Sequence, residues 1–183
     1  MIKNNIFLTG SIGVGKSTII RKVINQLSLH VCGFSVNREG KKNNWNAFYL
    51  VEASSFNNGD RSKKSKYNRF AFRKDDSKNW EINIQVFDKI GVQLLTNIDD
   101  ADLVIMDELG RFELTAYQFQ QKVYEVLNSN KTVLGVIKDE SNPFLDKIRN
   151  RKDVQIFRVT SENREEVYIK VLSQIKLILS IKE

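Results

Sequence analysis

The residues Gly10, Ser11, Ile12, Gly13, Val14, Gly15, Lys16 and Ser17, followed by Thr18, constrain this chain more than any other feature. They spell a glycine, four residues, then Gly-Lys-Ser. Glycines let backbone N–H groups converge on an anion with no Cβ in the way. A helix opening at the end of this run would aim its unpaired N–H donors and positive dipole end at the same anion. Lys16 adds a point charge for β- and γ-phosphate oxygens. Ser17 adds a hydroxyl for Mg2+. The context agrees: the apolar run Asn5–Thr9 comes before, and Ile19, Ile20, Val23, Ile24 and Leu27 recur at helical spacing after it. A Gly-x-Gly-x-x-Gly dinucleotide loop has no use for the Lys-Ser pair. Residues 10–18 are therefore expected to hold a nucleoside triphosphate (ATP, GTP or another) with Mg2+.

Further along, apolar runs of strand length alternate with longer helical patterns. Strands are expected at 5–9, 30–36, 47–52, 81–87, 103–106, 132–137 and 154–159. Helices are expected at 16–29, near 91–98, at 113–127, from Pro143 to about 149, and at 162–181 with Ser161 as cap. Such alternation implies an α/β fold, a mainly parallel sheet with helices on both faces. The strands at 47–52 and 81–87 suggest a β-ribbon. One domain spanning 1–183 is expected, with the polar segment 54–79 as an insertion or mobile loop.

Leu103, Val104, Ile105 and Met106 form an apolar run that delivers Asp107 and Glu108 at its carboxyl end. Ligands gather at that end of parallel strands. Asp107 is placed to hold Mg2+ with Ser17. Glu108 is placed to polarise an attacking water as general base. Asp99, Asp100 and Asp102, at the other end of the run, read as a solvated turn and helix cap.

The net charge of +7 is concentrated in two places. One holds Arg38, Lys41 and Lys42. The other, residues 61–78, holds Arg61, Lys63, Lys64, Lys66, Arg69, Arg73, Lys74 and Lys78. A solvated surface and a nucleic-acid-binding arm both fit, with Tyr67, Phe70 and Phe72 as stacking platforms in the second case. Phe70 and Phe72 alternate equally well in a half-buried strand. The single Cys32 reads as a packing residue, since one cysteine makes no internal disulfide. No run reaches the ~18–20 apolar residues that cross a membrane. Neither is there a signal-peptide pattern, so a cytoplasmic location is expected.

Asp107, Glu108, Leu109, Gly110, Arg111, Phe112, Glu113 and Leu114 resemble the signature of a small P-loop nucleoside-triphosphatase family. That family is known from thermophilic bacteria and archaea and includes the human cancer-related nucleoside-triphosphatase. Gly33 and Phe34, the group Arg38, Glu39 and Gly40, residues 134–137, and Val159, Thr160, Asn163 and Arg164 are similar to further stretches of it. The resemblance implies a RecA-like P-loop fold and Mg2+-dependent hydrolysis of several nucleoside triphosphates. It puts Lys16, Glu108 and Arg111 in the catalytic group. Arg111 then either senses the γ-phosphate or makes a structural salt bridge. Asn163 and Arg164 either meet the base or cap a helix. Residues 41–45, rich in lysine and asparagine, depart from the family's arginine- and glycine-rich turn. Two other readings stay open: a small nucleotide or nucleoside kinase with a basic lid at 61–73, and a nucleotide-gated RNA- or DNA-binding protein.

Overall fold

The computed structural model describes residues 3–41, 44–54, 64–74 and 79–182, without the side chains of 181 and 182. In chain order the elements are β1 Asn5–Thr9, α1 Lys16–Leu27, β2 Val31–Lys41, β3 Asn44–Glu52, β4 Arg69–Phe72 and β5 Glu81–Ile82. A π-helical turn, Val86–Gly91, runs into Val92–Leu94, and the two form α2. Then come β6 Leu103–Leu109, α3 Tyr117–Asn128, β7 Val133–Ile137, α4 Pro143–Arg149, β8 Val154–Arg158 and α5 Arg164–Lys182.

All eight strands join one sheet in the order β5-β4-β3-β2-β6-β7-β1-β8. The five strands β2, β6, β7, β1 and β8 run parallel. Their apolar runs are explained by cover on both faces. β1 and β7 are buried along their whole length. Ile19, Ile20 and Val23 of α1 and Val167, Val171 and Ile175 of α5 seal one face against Ile6, Leu8 and Ile105. On the other face Phe87 of α2, Phe119 and Val123 of α3 and Leu145 of α4 pack against Phe7, Phe34 and Met106. Each such side chain contributes about 1.5–3 kcal/mol by leaving water.

β3, β4 and β5 extend this sheet antiparallel from β2. Here the expectations need correction. β2 runs five residues past Val36, because Arg38, Glu39 and Gly40 pair with β3. β3 pairs with β2 and β4, so its ribbon partner is not the stretch 81–87. Only Glu81 and Ile82 of that stretch are strand. From Ile84 the chain is helical, and Phe87 turns into the core at 0% exposure. The helix expected from 113 opens at Tyr117. Ser161 does not cap α5. Its hydroxyl bonds Glu162, while the Asn163 carbonyl accepts from Val167. Asp102 is not a helix cap either, since its carboxylate receives the His30 N–H.

Phe70 lies in β4 at 2% exposure, with its ring 4.7 Å from Phe87. It is core, not a platform for bases. Cys32 packs half-buried beside the same core, and burial pushes its thiol up to about 11. Residues 55–63 and 75–78, most of the expected insertion, lie outside the described residues.

Candidate active site

The carboxyl ends of the parallel strands carry the candidate residues to one edge of the sheet, as expected for such folds. β1 ends at Thr9, and residues 10–15 lead into α1. Two glycines there have no substitute. At Gly10 (φ +128°) a Cβ would lie 2.3 Å from the Val159 carbonyl oxygen. At Gly15 (φ +102°) it would lie 2.7 Å from Arg164 Cδ. Gly15 is also the N-cap of α1. It brings no side chain to the helix's first N–H groups, and no acidic residue occupies the first turn. Those donors and the positive dipole end are left for an anion.

Lys16 is 8% exposed, and its ammonium donates to the carbonyl oxygens of Gly10 and Ser11, each at 2.7 Å. Burial lowers its pKa, and Glu108 and Asp107 pull it back up. Lys16 therefore spans the loop as an intramolecular brace, pointed along the path a phosphate chain would take.

β6 brings the acids. Asp107 sits within the ladder, opposite Ser35 on one side and Val136 on the other. It is 6% exposed and accepts a hydrogen bond from the Ser17 hydroxyl. Burial, then the neighbouring Glu108, push its carboxyl up to about 6 against the pull of Ser17, Arg38 and Lys16. A buried carboxylate paired with a hydroxyl is a hard oxygen donor set that suits Mg2+, which takes one or two carboxylates plus phosphate oxygens and water. The register with β7 slips between Asp107 and Leu109, so Glu108 leaves the ladder. Its carboxylate is gripped by two cations. Arg38 Nη2 lies 3.3 Å from both of its oxygens, and Lys138 Nζ lies 3.0 Å from Oε1.

Arg38 and Lys138 escaped the sequence reading as site residues. Arg38 had been grouped with a basic surface run. Lys138 stands one residue past Ile137, at the end of a buried parallel strand. Asp107 owed its assignment to the same position after Met106, so that rule would have found Lys138.

The other expected residues are placed less closely. Arg111 is exposed at the site's rim, with its guanidinium 5.4 Å from the Phe112 ring centroid. Among the described residues it makes no ion pair. Asn163 closes the turn after β8: Oδ1 accepts from Thr160 N at 2.8 Å, and Nδ2 donates to Arg158 O at 3.0 Å. Arg164 lies across Gly15, beside the phosphate loop.

Two adjoining cavities result. One, of about 180 Å3, is lined by Ile12, Gly13, Gly15, Lys16, Ser17, Thr18, Arg38 and Glu108. The other, of about 520 Å3, shares Ile12 and Glu108 with it and continues under β3, β4 and the segment after β6. Val14 packs partly buried against the core below the loop.

Known proteins resemble the chain over nearly its whole length. The nucleoside-triphosphatase THEP1 of Thermotoga maritima is 32% identical over 174 residues, covering 93% of this chain and 95% of the relative. The human cancer-related nucleoside-triphosphatase is 30% identical, with 89% and 92% covered. The crystal structure of THEP1 from the hyperthermophile Aquifex aeolicus superposes with a TM-score of 0.73 at 24% identity, covering 93% and 98%, and so shares the fold. The NTPase family model matches residues 5–172, and the chain belongs to that family.

Proposed function

We propose that this protein hydrolyses nucleoside triphosphates to the diphosphate and phosphate, with Mg2+ and broad base preference. The observation that carries this reading is the meeting of Lys16 and Ser17 with Asp107 and Glu108 at one strand edge. The relatives' names, all nucleoside-triphosphatases, point the same way. The N–H groups of residues 10–18 and the Lys16 ammonium bind the β- and γ-phosphates. Ser17 and Asp107 would hold Mg2+, which would supply positive charge against the phosphates. Glu108 orients and deprotonates the attacking water, and Arg38 and Lys138 fix its carboxylate. Arg111 adds positive charge from the rim. Arg164, next to Gly15, is placed for the base or the α-phosphate, while Asn163 shapes the turn that presents it.

We place the protein in the cytoplasm. No helix among the described residues is long and apolar enough to cross a membrane. For the described part of the basic segment, residues 64–74, a solvated surface is the reading preferred to a nucleic-acid arm, since Phe70 is core.

The test is phosphate release from ATP, GTP, CTP and UTP with no acceptor added. Release that requires Mg2+ and stops with EDTA is expected from all four. No release from any of them would reject the reading.

A further inference from the structure

Hydrolysis needs one water in front of the γ-phosphate, and a water takes roughly 30 Å3. The cavity at that place measures about 520 Å3, within the range of small-molecule sites. Its walls differ from end to end. The end at the phosphate loop is polar, with Ser11, Glu108, Lys138 and Glu140. The far end, where β3, β4 and Trp80 meet the segment after β6, is aromatic. There Phe48 lies 5.0 Å from Trp80 and 5.6 Å from Phe112, and Trp80 lies 5.5 Å from Phe112. Trp45 completes this wall, and the core residue Phe70 supports it from behind. Stacking surfaces of this kind take planar rings.

Two lining groups need a partner. Trp45 Nε1, a donor, and Glu140 Oε1, an acceptor, are buried with no hydrogen bond among the described residues. A hydrocarbon ring offers neither of them a partner. A heterocycle with ring nitrogens or amino groups offers both a partner once the two side chains turn towards the cavity. Arg73 and Arg111 stand in the same wall as Glu113, Asp139 and Glu140. Neither sign of charge prevails, which suits a neutral ligand.

We propose that this cavity binds a neutral, hydroxyl-bearing planar heterocycle of nucleoside type and offers its hydroxyl to the γ-phosphate as acceptor. The proposal rests on the phosphate-loop reading above. In the transfer, the hydroxyl oxygen bonds to the γ-phosphorus, and the bridging oxygen–γ-phosphorus bond breaks. The diphosphate leaves with the electron pair, and the hydroxyl proton passes to the Glu108 carboxylate. Water takes the acceptor's place when the cavity is empty.

Both tryptophans of the chain, Trp45 and Trp80, line this cavity, so intrinsic fluorescence reports on it directly. The protein is titrated with adenosine, guanosine, cytidine, uridine and thymidine, with Mg-ADP saturating the phosphate loop. At least one nucleoside should quench saturably. With ATP labelled at the γ-phosphate, label should then appear in that nucleoside's monophosphate. Trp80→Leu and Phe48→Leu, each checked for an unchanged melting profile, should cut transfer at least ~10-fold while phosphate release without nucleoside stays within ~2-fold. Absence of saturable quenching by all five, or label in inorganic phosphate alone, overturns the proposal. Phosphate release measured alone reports separately on the hydrolase reading, because it needs no occupant of the cavity.

Discussion

The parallel strands and the antiparallel extension of this one sheet follow different rules. In β1, β6 and β7, buried on both faces, every side chain answers to packing. Chemistry is confined to the carboxyl ends of the strands and the residues just past them: the loop after Thr9, Asp107 with Glu108 near the end of the β6 ladder, and Lys138. In β3 and β4 the face that carries Phe48 and Phe70 continues the core, and its end towards the site lines the larger cavity. Phe48 and Trp45 do their work from within the strands, with Phe70 packed behind them. The parallel part thus concentrates charge at an edge, while the antiparallel part builds an aromatic surface facing that edge. Phosphate chemistry needs only the first. A ligand beside the phosphate would need the second.

The largest effect expected on either side of that contrast is Lys16→Ala. It removes the only cation inside the loop among the described residues and should lower kcat/KM at least ~1000-fold, read from phosphate release. Changes in the extension should leave that quantity almost untouched. Arg38→Ala crosses the boundary, since Arg38 stands on β2 but grips Glu108. A loss of about 10- to 100-fold in kcat with little change in KM is expected.

A structural break comes next. Gly33 of β2 has φ +98°, and a Cβ there would lie 2.1 Å from the Ile105 carbonyl oxygen. Gly33→Ala should cost roughly 2–4 kcal/mol, which for a chain of this size lowers the thermal midpoint by about 10 °C. Calorimetry checks it.

Glu113 gives a smaller, pH-dependent effect. It is 3% exposed and receives the Gly110 N–H at 3.0 Å, and burial pushes its carboxyl up to about 8 from 4.5. The folded state keeps this proton where the unfolded chain has lost it. Its contribution is complete below pH 4.5 and is lost as pH rises towards 8. The slope within that window is at most about 1.4 kcal/mol per pH unit. Glu113→Gln should flatten the fall in stability between pH 5 and 8, measured by urea unfolding. Arg111→Ala is expected to matter least, at roughly 3- to 10-fold in kcat, because its guanidinium stands at the exposed rim.

The same contrast explains what could be read from residue order alone. The phosphate loop and Asp107 were legible because their signals are local: a spaced glycine motif, and an apolar run with an acid after it. The sheet class followed from alternation. The extension was not legible, because its partners are distant. Phe48, Trp80 and Phe112 meet only once β3 and β4 have paired, and no window of sequence holds all three. The segment 81–87 misled for a related reason. Its alternating apolar residues fit a strand, but Phe87 gains more by entering the core beside Phe70 and Phe119 as part of a helical turn. Glu113, expected to open a helix, lies before it and turns inward to close the loop at Gly110. Arg38 was hidden by its company, since a cation in a basic run looks solvated until Glu108 is placed beside it.

The most direct measurement is paired: turnover and nucleotide affinity of Glu108→Gln, by phosphate release and by titration with a non-hydrolysable triphosphate and Mg2+. This variant keeps the shape of the side chain and removes the carboxylate that Arg38 and Lys138 hold in front of the phosphate loop. Turnover at least ~100-fold below wild type, with Kd within ~3-fold, is the expected result. Turnover within ~3-fold of wild type would contradict the role of Glu108 as the base and, with it, the reading of this strand edge as the hydrolytic centre.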